Sequence, residues 1–460
     1  MSLAAAMMLA EHAQPVRLIG RVQSLRGLTL MVDDLPLPVG ALVRVEPALV
    51  GTARVLGEVV GFTREQAIVM PLGQTTGIRP GDPVVGLQAW PSVTVGDSML
   101  GRCLDGLGRP IDGRGPLREL VRRPLSPDPI PPTRRRRIAE PLRTGVRALD
   151  LFTTLGQGQR LGLFAGPGVG KSTLLGLIAR GTSADVNVIA LVGERGREVN
   201  DFVHHSLGER GLARSVLVVS TSDESPVLRL RAAKLAHSIA EHFRDQGRSV
   251  LLMMDSITRF AHAQRQVGLS VGEPPATKGY TPSVFAQMAL LLERAGALLG
   301  PDGSSAGGSI TGLYTILVEG DDMSEPVADA ARGILDGHVV LSRRLAQRAH
   351  YPAIDVLDSV SRVADAVCDP EHVEARRRIL RLLATYAQVE DLVQIGAYAR
   401  GARPESDVAI DLHPPITALL RQGEDEREPF ERSRERLIGL ATQAAQALQK
   451  AGKSPMRGPA

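Results

Sequence analysis

The stretch Ala165–Thr173, AGPGVGKST, decides the fold of this 460-residue chain. The apolar run Leu161–Phe164 precedes it, and the helix-compatible run Leu174–Ala179 follows. A strand, a glycine-rich loop and a helix in that order make a phosphate-binding loop. Glycines permit the tight turn, several backbone N–H groups then point at one anion, and the helix N-terminus adds its dipole. Gly166, Pro167, Gly168, Val169 and Gly170 form the cradle, with Lys171 placed to reach the outer phosphates and Thr173 completing the motif. The Ser172 hydroxyl is a ligand for Mg²⁺ in this pattern. Ala165 stands where G-x-x-x-x-G-K-S/T has its first glycine, a mild departure because alanine is small.

Outward from the loop, apolar strand candidates RLGLF, VNVIALV, SVLVVS, SVLLMMD and GLYTILVE alternate with helical segments such as Pro226–Phe243. That alternation predicts an α/β core with a mainly parallel sheet covered on both faces. LLMM ends at Asp255, and a carboxylate at the C-terminal edge of such a strand can hold the Mg²⁺ shell, directly or through water. Another strand candidate runs into GERGRE, Gly193–Glu198. Hydrolysis of a terminal phosphate needs a carboxylate to polarise water and cations to offset developing charge, and Glu194 and Arg195 are adjacent candidates.

The flanks differ in character. Residues 16–90 carry short strand candidates, LIGRV, LTLMV, ALVRV, GEVVGF and AIVMPL, separated by Gly, Pro and Asp turns, as in a small β-barrel. Residues 117–143 are rich in proline and arginine and read as an extended linker whose run Arg134–Arg137 is a solvated basic face. Residues 370–450 are helix-rich, and Glu424–Glu428 reads as a solvated face. The expected division is a docking segment (1–15), a β-barrel (16–96), a junction and linker (97–143), the P-loop core (144–368), a helical domain (369–445) and a disordered tail (446–460). The first residues lack Lys or Arg before Arg17, which disfavours a signal peptide and leaves a short amphipathic docking helix or a frayed tail.

Composition sets outer bounds. Lys and Arg total 54 against 50 Asp and Glu, a formal charge of +4 that permits an acidic partner without demanding one. Two distant cysteines, Cys103 and Cys368, argue against a disulfide framework and for a reducing compartment. His204, His205, His237 and His242 lack the Cys or carboxylate company of a zinc site and read as ordinary helix residues. Glu319, Asp321 and Asp322 end a strand near the expected site and read equally as metal-water ligands or as a structural loop.

Together, AGPGVGKST, GERGRE, LLMMDSITRF and PAIDVLDSVS (352–361), with GRCLDGLGRPIDGRGPL (101–117), resemble the catalytic subunits of rotary ATP synthases and their relatives. GEPPATKGYTPSVFAQ (272–287), GGSITGLYTILVEGDDMSEPVAD (307–329) and ILDGHVVLSRRLA (334–346) resemble the ATPases of type III protein export, the flagellum-specific branch above all. Ala165 at the first P-loop position is also usual in that branch. The resemblance implies a RecA-like P-loop NTPase core with an N-terminal small β-barrel and a C-terminal helical domain. It implies ATP as substrate and Mg²⁺ as cofactor, with Glu194 polarising water, Arg195 and Arg259 offsetting phosphate charge, and Glu198 in support. Tyr351 would pack on adenine, and Arg362 would be an arginine finger reaching the ATP of a neighbouring copy. The second adenine-packing aromatic of synthase subunits is not evident.

A finger acting between copies implies a homohexameric ring. The branch implies further partners: a peripheral stator at the N-terminus, a coiled-coil stalk, export chaperone–substrate complexes and a membrane export gate. The expected location is cytoplasmic, at the inner face of the cytoplasmic membrane. The alternative within the branch is the ATPase of a virulence injectisome. A rotary ATP synthase subunit is disfavoured because the C-terminal region shows no DELSEED-like acidic segment. A Rho-type RNA translocase is disfavoured because residues 1–100 hold only Phe62 and Trp90 as stacking platforms, so nucleic acid is not an expected partner.

Overall fold

Eight strands line up in the central sheet, in the order Ile354–Ser361, Gly337–Leu341, Arg160–Ala165, Ser309–Leu317, Ser249–Asp255, Val186–Glu194, Ser215–Thr221 and Cys103–Asp105. The computed structural model describes residues 18–453 apart from 50, 301, 305, 306, 319 and 321. All neighbours on this path are parallel except Ile354–Ser361, which runs antiparallel at one edge. The middle strands read as unbroken apolar runs because both faces are covered. In Val186–Glu194 burial does not alternate: Val188, Ile189, Ala190, Leu191 and Val192 are all buried. Helices Pro226–Asp245 and Ile257–Ser270 cover one face with Tyr314, Phe243 and Phe260 at the centre. The P-loop helix Lys171–Gly181 covers the other, and there the core continues into the C-terminal helices.

The N-terminal region closes into a six-stranded antiparallel barrel around Val32, Val43, Val59 and Val69. Its sixth strand, Pro83–Gln88, has a proline start and an internal glycine, which hid it from the sequence pattern. Glu58 of the barrel ion-pairs with Arg231 of the core at 2.6 Å. Burial pushes the Glu58 carboxyl up despite the neighbouring guanidinium.

Three expectations need correction. Arg134–Arg137 is not wholly a solvated face: Arg135 donates to the carbonyls of Ala295 (3.1 Å) and Glu293 (2.6 Å), and the Arg136 backbone N–H donates to the Ala297 carbonyl. These backbone acceptors border the sheet, so the linker is pinned to the core. Glu424–Glu428 is not a free acidic face either, since Glu426 and Glu428 both pair with the buried Arg147. Residues 446–453 continue the last helix, Phe430–Lys453, because Ala444, Ala447 and Leu448 extend the apolar stripe begun by Leu437 and Ala441. The docking segment 1–15 and residues 454–460 lie outside the described residues, as do Glu319 and Asp321.

Candidate active site

The P-loop leaves the sheet at Ala165 and turns on two left-handed glycines, Gly168 (φ 74°) and Gly170 (φ 86°). A side chain at either position would be strained, so glycine is required there. Val169 is buried and anchors the loop, whereas Pro167, Gly168 and Ser172 face solvent. The helix starts at Lys171, so the amides of its first turn open onto the same space.

Lys171 spans two carboxylates. Its Nζ lies 2.6 Å from Asp255 Oδ1 and 3.6 Å from Glu194 Oε1. Burial works to lower the Lys171 pKa, but Asp255 and Glu194 outweigh it and hold the ammonium above its usual range. Glu194 sits at the end of the strand beside the one that ends in Asp255. Burial and then the Asp255 charge push its carboxyl up to about 7, with Lys171 opposing and Glu198 adding to the rise. A carboxyl poised near neutrality next to a phosphate cradle is suited to taking and returning a proton.

Thr315 completes this cluster, and sequence reasoning missed it. Its hydroxyl donates to Asp255 Oδ1 at 2.6 Å, and the side chain is fully buried. Thr315 lies on Ser309–Leu317, the strand inserted between the P-loop strand and the Asp255 strand. Only sheet order reveals that neighbourhood. On the same strand, the Leu317 N–H donates to Thr258 Oγ1 at 2.9 Å, which ties the strand end to the helix after Asp255.

The arginines separate into distinct places. Arg259 lies in the first turn of the helix Ile257–Ser270 and packs against Gly193, whose φ is 75°; a Cβ there would come within 2.9 Å of the Arg259 Cβ. Arg195 instead turns outward, its side chain 77% exposed, with Glu198 at 3.7 Å. Arg362 is exposed and follows the antiparallel edge strand. Its N–H donates to the Asp336 carbonyl, at the end of the sheet opposite the P-loop. With Leu341 level with Ala165 and Gly337 level with Ser361, Arg362 is about 15 Å from its own P-loop along the strands. It therefore lies out of reach of phosphates held by the P-loop of the same copy.

Tyr351 does come to the loop. Its ring lies 3.5 Å from where a Cβ on Gly170 would be, and 47% of the residue is exposed. The Gln422 N–H donates to the Tyr351 carbonyl at 2.9 Å, so the helical layer borders this side of the site. No ring contact to Tyr351 occurs among the described residues. Two histidines read as structural are so placed: His237 is fully buried against Tyr314, with burial pushing it down to about 3, and His242 contacts Asp97.

The available donors are hard oxygens: the exposed Ser172 hydroxyl and the Asp255 and Glu194 carboxylates around Lys171. That set fits Mg²⁺ carried in with a phosphate chain, which keeps several waters and takes few protein ligands. Among the described residues there is no His/Cys/Asp/Glu cluster able to hold a metal by itself.

Three family models match in chain order. The ATP synthase alpha/beta family β-barrel domain matches residues 27–88, its nucleotide-binding domain residues 145–361, and the EscN-type type III secretion ATPase C-terminal domain residues 368–439. The chain is 50% identical over 429 residues to the flagellum-specific ATP synthase of Pseudomonas aeruginosa, covering 93% of this chain and 94% of that one. It is 47% identical over 428 residues to the type 3 secretion system ATPase of Xanthomonas euvesicatoria, covering 93% and 95%. The structure of assembled EscN with its central stalk EscO, from enteropathogenic E. coli, superposes with a TM-score of 0.83 at 42% identity, covering 92% of this chain and 100% of that chain. The chain belongs to the ATP synthase alpha/beta family, in the branch formed by flagellum-specific ATP synthases and type III secretion ATPases.

Proposed function

We propose that this chain is the ATP-hydrolysing motor of a flagellar type III protein export apparatus. The observation that carries the hydrolase reading is Lys171 held between Asp255 and Glu194 at the mouth of the P-loop. When the phosphates enter, they take over Lys171 and the loop amides, which frees the Asp255 carboxylate. Ser172 and Asp255 would hold Mg²⁺, which when bound screens the phosphate charge. Glu194 orients water and accepts its proton at a carboxylate oxygen. Arg259, packed beside Gly193, offsets charge on the leaving phosphate, and Arg195 serves from the rim. Tyr351 supports the adenine.

The position of Arg362 supports a shared site: too far from its own P-loop, it serves the ATP of the next copy. One chain carries both halves of the site, so a closed head-to-tail ring of identical copies suffices, and a homohexamer is the size we assign by kinship. Stalk, stator, chaperone–substrate complexes and export gate are the partners we assign by kinship. The cytoplasmic face of the membrane is the location we assign; among the described residues no helix is long and apolar enough to cross a membrane. A virulence secretion ATPase is the second reading, favoured by the 47% identity to the Xanthomonas enzyme. Proteins copurifying with tagged Glu194→Gln chain from its own cells decide between them. Flagellar stator, stalk and chaperones support the first reading, injectisome components the second, and RNA or rotary-synthase subunits refute both.

A further inference from the structure

A second arginine lies behind Arg259. Arg229 is only 9% exposed in the helix Pro226–Asp245, which packs along Ile257–Ser270. Its Nη2 donates to Gln266 Oε1 at 2.8 Å. Gln266 and Arg259 are seven residues apart by number, so they share one face of their helix, and Gln266 is exposed. The Nε atoms of both Arg229 and Arg259 are buried without a hydrogen-bond partner among the described residues. Neither guanidinium has a carboxylate in ion-pair range among those residues. The acid on the adjoining loop, Glu224, is engaged by Ser220 Oγ and the Thr221 N–H. That loop also touches the site, since the Ser222 N–H donates to the Glu194 carbonyl at 3.0 Å. Burial and then the Arg259 charge depress the Arg229 pKa, with Glu224 opposing, as expected of two cations short of an anion.

Buried unsatisfied donors are costly, and on two neighbouring cations that lack a carboxylate a visiting anion would satisfy them. We propose that Arg229 is a holding residue for inorganic phosphate, receiving the product from the Glu194–Arg259 side before it leaves past Gln266. The proposal rests on the hydrolase reading for the source of that phosphate, and it adds an anion site outside the P-loop. Planar guanidinium forks suit a tetrahedral oxyanion, which accepts from several N–H groups at once.

The test is a titration of the full chain with inorganic phosphate, without nucleotide, read by calorimetry, together with phosphate inhibition of ATP turnover. Arg229→Gln should weaken phosphate binding and product inhibition about tenfold, the loss expected for one charge-assisted contact. The KM for ATP should change by less than about twofold, a split that a merely structural role would not produce. Arg229→Lys keeps the charge but lacks the fork, and should fall between; it also serves if the Gln variant does not fold. Wild-type phosphate affinity in either variant overturns the proposal and leaves the hydrolase reading intact. Absence of ATP turnover in the wild-type chain would remove the hydrolase reading, while the nucleotide-free titration would still decide whether Arg229 binds phosphate.

Discussion

Acidification should switch this enzyme off through one carboxyl. Glu194 is pushed to about 7 by burial and by Asp255, and it must be ionised to accept a proton from water. About one unit below that value roughly a tenth of the sites are ionised, and about one unit above it roughly nine tenths. The kcat/KM for ATP should therefore rise about tenfold between roughly pH 6 and pH 8, along a single-proton acid limb. This ratio reports the free enzyme, in which the geometry described above applies. Steady-state ATPase assays at fixed excess Mg²⁺ measure it. Asp255→Asn is a poor control because it also removes the metal-side carboxylate; Glu194→Gln is the better one. It should lose turnover by several orders of magnitude while still binding nucleotide, and any residual rate should show no acid limb near 7. A wild-type profile flat across that range would refute the assignment. So would a limb that persists unchanged in Glu194→Gln.

Stability follows the same group with its own sign. The folded pKa of Glu194 lies above the usual carboxylate value, so its protonated form favours the folded state. That contribution is full below the ordinary value of 4.5 and is lost as pH rises to about 7. The nucleotide-free chain should accordingly lose some thermal stability across that window, less so in Glu194→Gln, and an equal loss in both would assign the effect to another group. Thr315→Val removes the 2.6 Å hydrogen bond to Asp255 in a nearly isosteric way, and kcat should drop about tenfold with the fold intact by circular dichroism. Gly193→Ala forces a left-handed φ and a 2.9 Å contact with Arg259; a cost of about 1–2 kcal/mol should appear in denaturant unfolding, and no change would mean the loop relaxes freely. Arg362→Ala should lose about a thousandfold in kcat, and mixing it with Lys171→Ala chains should restore part of the rate, since some interfaces then carry both intact halves. If no mixture regains activity, the shared-site assignment fails.

Local chemistry made much of this protein legible in its sequence. AGPGVGKST needs only neighbouring residues to form its turn, so glycine positions and the following helix could be read directly, and Lys171 and Ser172 with them. Buried parallel strands announce themselves as apolar runs, which is why SVLLMMD placed Asp255 at a strand end. GERGRE after an apolar strand pointed to Glu194, and family likeness added Tyr351 and Arg362 as candidates. Sequence distance hid what the sheet assembles. Thr315 reaches Asp255 because its strand is inserted beside it, 60 residues further along the chain. The Arg134–Arg137 run looked solvated because its acceptors, the backbone carbonyls of Glu293, Ala295 and Ala297, carry no signature in the side-chain code. The near-neutral pKa of Glu194 and the orphan donors of Arg229 and Arg259 are also tertiary facts, because burial and electrostatic neighbours exist only once the layers have packed.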